Sequence, residues 1–93
     1  MDNRIKQIAE HYGYEVQREQ FIEECSEAIL AAQKCKRYGG KEQLEAYEGE
    51  IADVLIMALE KAHLIGIDRI NQIVDMKLNR QMQRIEAENE EQG

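Results

Sequence analysis

The pair Gly39-Gly40 divides two long proline-free stretches, each with helical periodicity, and so commits the middle of the chain to a helical hairpin. One stretch runs from about residue 14 or 15 to 37, the other from about residue 41 to 64 or 65. Each carries two acids three residues apart: Glu24 and Glu27 before the glycines, Glu50 and Asp53 after them. Three residues of α-helix turn through about 300°, so the members of each pair share one side. At about 1.5 Å per residue, Glu27 lies roughly 18 Å from the turn and Glu50 roughly 15 Å, with Glu24 and Asp53 at roughly 22 and 20 Å. Folded antiparallel, the four carboxylates form two facing rungs. That is a candidate site for a hard metal ion.

The rest of the chain agrees with an all-α fold. Its 93 residues are 33% charged and include no proline, a composition suited to long helices in a single domain. Asp2 or Asn3 caps a short first helix whose inner face is Ile5, Ile8, Ala9 and Tyr12, and Gly13 ends it. The second helix has the apolar stripe Phe21, Cys25, Ala28, Ile29 and Ala32, with Lys34, Lys36 and Arg37 in its last turns to suit the helix dipole. The third follows the 3.6 period through Leu44, Tyr47, Ile51, Val54, Leu55, Ala58, Leu59 and Ala62. Gly66 breaks it, and Asp68 caps a fourth helix with the inner face Ile70, Ile73, Val74, Leu78, Met82 and Ile85. Residues 86–93 are acidic and polar, and fraying is expected there. The expected architecture is a four-helix bundle-type domain with helices 2 and 3 as its antiparallel hairpin.

Within the third helix, residues 51–59 are apolar almost all the way round, and Asp53 is the one polar residue among them. Such a segment is expected to be buried on more than one side, with a second subunit as the extra cover and Met57 facing it. Burying Asp53 unpaired would cost several kcal/mol, so it calls for a partner or a cation. Acids fill 19 of 93 positions, so the spacing by itself arises readily by chance. The matched rungs and the placement of Asp53 raise it above that background. Rigidly held carboxylates suit Mg²⁺, and neither sulfur nor histidine stands where zinc or copper would want it.

These residues resemble a known signature. Glu23-Glu24-x-x-Glu27, then Glu50-x-x-Asp53-Val54-Leu55, is similar to the motif of the MazG-like all-α nucleoside triphosphate pyrophosphohydrolases. His11-Tyr12-Gly13 and Gln20 upstream, and Lys77-x3-Gln81-x2-Arg84 downstream, look like its flanking elements, with Gln81 where many relatives carry Asn. The resemblance spans about residues 8 to 84. It implies a helical bundle that forms a dimer or tetramer, binds Mg²⁺ (or Mn²⁺), and cleaves an NTP or dNTP to the monophosphate and pyrophosphate. On this chain it makes Glu24, Glu27, Glu50 and Asp53 metal ligands, and it has Glu23 support the site or help activate water, with Glu24 beside it in the catalytic group.

A net charge of −7 argues against nucleic acid or an anionic membrane as partner, and it allows a phosphate-bearing substrate only through a divalent cation. Lys77, Arg80 and Arg84 share one side of the fourth helix and are candidate triphosphate contacts, Arg bidentately and Lys as a point charge. Their alternative is an exposed basic edge. Cys25 and Cys35 lie about 15 Å apart on one helix, too far to bridge, which suits a reducing cytoplasm. The chain has no apolar stretch near 18 residues, so it is expected to be soluble and cytoplasmic. Glu60-x-x-His63 has the form of a di-iron element, but no second copy accompanies it. The remaining rival is a non-enzymatic helical interaction module, either a degenerate family member or an adaptor dimer.

Overall fold

The computed structural model describes residues 2–92. They form four helices: α1 (Asn3–Tyr12), α2 (Tyr14–Tyr38), α3 (Lys41–Ile65) and α4 (Ile67–Gln92), with no strand among the described residues. Asp2 caps α1 as expected, its carboxylate accepting the Arg4 backbone N–H at 2.9 Å. Gly39 and Gly40 adopt φ of +67° and +92°, and two successive positive values are what a side-chain-bearing pair would resist. The reversal they make is therefore sharp, and α2 packs on α3 more extensively than any other two helices pack.

Two ties set the hairpin's register. Near the turn, the Cys35 thiol donates to the Gln43 carbonyl at 3.1 Å. At the far end, Lys61 Nζ donates to the Tyr14 carbonyl at 3.0 Å and also sits over the Tyr14 ring. Between those ties Glu27 falls opposite Glu50, Glu24 opposite Asp53, and Gln17 opposite Glu60. α1 folds back over the open end of the hairpin, burying Ile5 and Ala9 and pairing Glu10 with His63 at 3.2 Å.

The interior is small: Ile5, Ala9, Ala31, Met57 and Ala62 are its buried apolar residues. Met57 is only 7% exposed, so it belongs to the core of its own chain and does not face a partner as expected from the sequence. The uncovered large apolar residues of that run are Ile51, Leu55 and Ile56, and Ala52 and Asp53 are also exposed. On α1, Ile8 and Tyr12 stay exposed, and on α2 Ala31 takes the buried place expected of Ile29. α4 starts at Ile67, so Asp68 lies in its first turn, two residues past the cap position, and does not cap the helix as expected.

α4 differs from the other three helices. It approaches only α3, and none of its residues is buried. Ile67, Ile70 and Ile73 are half-buried; every described residue beyond Ile73 is exposed, including Val74, Leu78, Met82 and Ile85 of its apolar stripe. The helix also continues to Gln92 through the acidic stretch where fraying was expected, in keeping with the helix-forming Glu, Ala and Gln residues there. The outcome is an elongated body of 53 × 38 × 20 Å with a radius of gyration of 16.9 Å, against about 12 Å for a compact chain of this length. Its accessible area is 7507 Å², where a compact protein of this mass exposes about 5,500 Å². No helix among the described residues is long and apolar enough to cross a membrane.

Candidate metal centre

The α2–α3 register brings three of the four signature acids into one cluster. One carboxylate oxygen each from Glu24, Glu27 and Glu50 lie within 4.8 Å of one another. Glu24 and Glu27 reach the cluster from successive turns of α2, and Glu50 meets them from α3. Gln20, one turn before Glu24, donates its amide to Glu24 Oε1 at 2.9 Å and so fixes that carboxylate's direction. The second oxygen of Glu24 and that of Glu50 are both buried without a hydrogen-bond partner. A buried carboxylate oxygen lacking a donor is unfavourable, and two of them in one cluster leave a defined deficit of positive charge.

The electrostatics agree. Glu27 has its pKa raised above the ordinary 4.5, first by the charge of Glu24, then by desolvation, then by Glu50, Glu23 and Asp53. Asp53 and Glu23 thus lie close enough to act on Glu27 through their charge, although both side chains are exposed and neither belongs to the three-oxygen cluster. Oxygens bound to one Mg²⁺ lie about 3 to 4 Å apart, so a small side-chain adjustment would close the three carboxylates on an ion. The donor set is all oxygen, with two unpartnered buried oxygens and mutual repulsion to relieve. These residues fit a hard divalent cation.

Lys77, Arg80 and Arg84 are not brought to the acids within one chain. They lie on the part of α4 beyond Ile73, exposed and without an ion-pair partner among the described residues, while α4 makes no approach to α2. Sequence reasoning passed over Gln17 and read Glu60 only as half of an unaccompanied Glu-x-x-His element; the two are 3% and 2% exposed and continue the polar seam below the acids. Gln17 Oε1 is a third buried oxygen without a partner. Gln17 stands seven residues before Glu24, and Glu60 seven after Asp53. That two-turn spacing puts each on the same helix face as its acid, and was the available signal. His63, by contrast, turns away to Glu10 and contributes nothing to the cluster.

No family model matches the chain, and neither a curated protein nor a solved structure matches it.

Proposed function

We propose that this chain is a Mg²⁺-dependent nucleotide pyrophosphohydrolase that cleaves an NTP or dNTP to the monophosphate and pyrophosphate, working as a homodimer or homotetramer. The observation that carries the reading is the Glu24–Glu27–Glu50 cluster with its two buried, unpartnered oxygens. The resemblance of Glu23-Glu24-x-x-Glu27 and Glu50-x-x-Asp53 to the MazG-like signature supports it and supplies the reaction class. Bound Mg²⁺ would neutralise charge on the triphosphate and lower the pKa of the attacking water. The chain's own part begins with Glu24, Glu27 and Glu50 as ion ligands, Gln20 holding Glu24 in place, and Asp53 completing the set from the second rung. Glu23, exposed beside the cluster, accepts the proton as water adds to the α-phosphorus and pyrophosphate departs with the electron pair of the broken P–O bond. Without the ion, a protein of net charge −7 would repel the substrate. The oligomer is supported by the excess of about 2,000 Å² over a compact chain, where a stable interface covers about 800 Å² per partner.

The exposed apolar faces of α3 and α4 favour a second reading, a non-enzymatic interaction module. Incubation with a panel of NTPs and dNTPs plus Mg²⁺ separates the two. The proposal expects pyrophosphate as the direct product and no turnover in EDTA. Orthophosphate as first product would refute the proposed bond cleavage, and no turnover on any member of the panel would favour the interaction module.

A further inference from the structure

Glu24, Glu27 and Glu50 do not by themselves bring α2 and α3 into register. Without a cation they repel one another, as the Glu27 pKa shows, raised first by the charge of Glu24. Their own charge therefore opposes the alignment that gathers them. Apolar contact does not choose that alignment either. The covered side of α2 includes the series Gln17, Phe21, Glu24, Ala28, Ala31 and Cys35, spaced by fours and threes and all buried or half-buried. A seam of that spacing meets its partner again after a slide of one turn, about 5.4 Å. Residues 51–59 of α3, apolar almost all the way round, would accept the slide. The two ties hold the register once it is made, but both end on backbone carbonyls, those of Gln43 and Tyr14. Every residue carries such an acceptor, so a displaced helix offers another nearby.

Two turns from the acids the seam holds a rung of another kind. Gln17 and Glu60 are the two buried polar residues among those described, and they stand opposite each other in the alignment that sets Glu24 against Asp53 and Glu27 against Glu50. Gln17 Oε1 is buried without a donor, and Glu60 has no ion-pair partner among the described residues. Polar groups so deeply buried tolerate few surroundings. A slide of four residues one way would set Glu60 against Phe21 and Gln17 against Leu64; the other way, Glu60 against Gly13 and Gln17 against Ile56. Neither would then have a polar side chain opposite. In the native alignment a carboxamide, with two N–H donors and an acceptor on one pivot, faces a carboxylate that accepts. We infer that the Gln17–Glu60 rung specifies the register of α2 against α3, and that these two are positioning residues through which Glu24, Glu27 and Glu50 converge on one point. A buried polar pair adds little stability over an apolar one, yet it penalises every other alignment. Only the occupation of that point by Mg²⁺ rests on the proposed function.

The test separates register from stability. Gln17→Met/Glu60→Met replaces the rung with apolar side chains of similar volume, and Gln17→Glu/Glu60→Gln exchanges its two ends. Each full-length chain is titrated with Mg²⁺ by calorimetry, melted in EDTA, and observed by amide NMR after isotope labelling. The Met pair should melt no lower than wild type, yet bind Mg²⁺ about tenfold or more weakly. In EDTA it should give more than one set of amide signals for Glu24, Glu27 and Glu50. The exchanged pair should bind Mg²⁺ as wild type does and give a single set. A Met pair with wild-type Mg²⁺ affinity and one set of signals would overturn the inference. So would a Met pair that melts well below wild type, or an exchanged pair that fails as the Met pair does. A wild type that binds no Mg²⁺, beside a Met pair with doubled signals and an exchanged pair without them, would uphold the rung and remove the proposed ion.

Discussion

The α2–α3 hairpin and α4 read alike in sequence, each a long helix with a regular apolar period, yet the fold treats them differently. The hairpin closes on itself, tied at Cys35–Gln43 and at Tyr14–Lys61, and buries Ala31, Met57 and Glu60 between or beside its helices. α4 has a comparable stripe and buries no residue of it. The difference teaches that an apolar period fixes which face of a helix seeks cover without saying whose surface provides it. It also separates two kinds of polar residue. Acids in the closed hairpin are held against one another at a cost that a bound cation would relieve, whereas cations on the open helix are merely solvated.

The largest effect expected from breaking this contrast is at Glu50. Glu50→Gln keeps the shape of the hairpin and removes a proposed metal ligand whose buried oxygen lacks any donor, so the proposed hydrolysis should fall by about two orders of magnitude or more in a steady-state pyrophosphate assay. Asp53→Asn, exposed and outside the three-oxygen cluster, should cost less, on the order of 10- to 100-fold, as for a group that orients or supplements ligands.

Next in size is a pair of charge insertions that the two regions should answer in opposite ways. Met57→Glu puts an unpaired carboxylate into the protomer's own core and should lower folding stability by several kcal/mol in urea titration. Leu55→Glu should leave the protomer's unfolding nearly unchanged and instead weaken self-association in sedimentation by about tenfold for each 1.4 kcal/mol lost. Dissociation by Met57→Glu without loss of protomer stability would reverse the assignment of the two faces.

The smallest effect concerns pH. Repulsion from Glu24, foremost, raises Glu27 above its unfolded value of 4.5. An acid raised in the folded state contributes stability that is full below its unfolded value and is lost as pH rises through the folded one. Metal-free protein should therefore melt at a higher temperature near about pH 5 than near about pH 7, and Mg²⁺ should flatten or reverse that trend. Asp2 does not oppose it: its pKa is held down at about 2 by Arg4, so its contribution persists above 3.8 and fades only as pH falls toward that lower value. A Glu27→Gln chain that keeps the same pH dependence in EDTA would show that the trend comes from elsewhere.

How much of this was legible beforehand differs by region for physical reasons. The glycines and the missing proline marked the helix boundaries as far as the start of α4 to within two residues, because positive φ at Gly13, Gly39, Gly40 and Gly66 leaves little choice; no glycine marks the far end of α4, which runs on to Gln92. The meeting of Glu24, Glu27 and Glu50 was legible as well, since equal distances from one turn become contacts once the hairpin closes. Burial was harder to read. Met57 and Ile56 are equally apolar neighbours, and only the rotation of α3 against α2 decides that the first is buried and the second exposed. Gln17 and Glu60 look like surface residues by type, and their burial follows from the register of the seam. The openness of α4 could not be read from its pattern, which is the same whether a helix packs in cis or against another copy.

The measurement that bears most directly on the acid cluster is thermal unfolding of wild type and Glu50→Gln, each in EDTA and in Mg²⁺. A ligand present at 100 times its Kd adds about 2.7 kcal/mol to folded-state stability. Wild type should therefore melt clearly higher with Mg²⁺, by roughly 4–8 °C for each kcal/mol in a domain of this size. Glu50→Gln should lose most of that shift, and in EDTA it should melt no lower than metal-free wild type, because one of the mutually repelling acids has gone. A wild type indifferent to Mg²⁺, together with a Glu50→Gln chain that is strongly destabilised in EDTA, would contradict the metal centre.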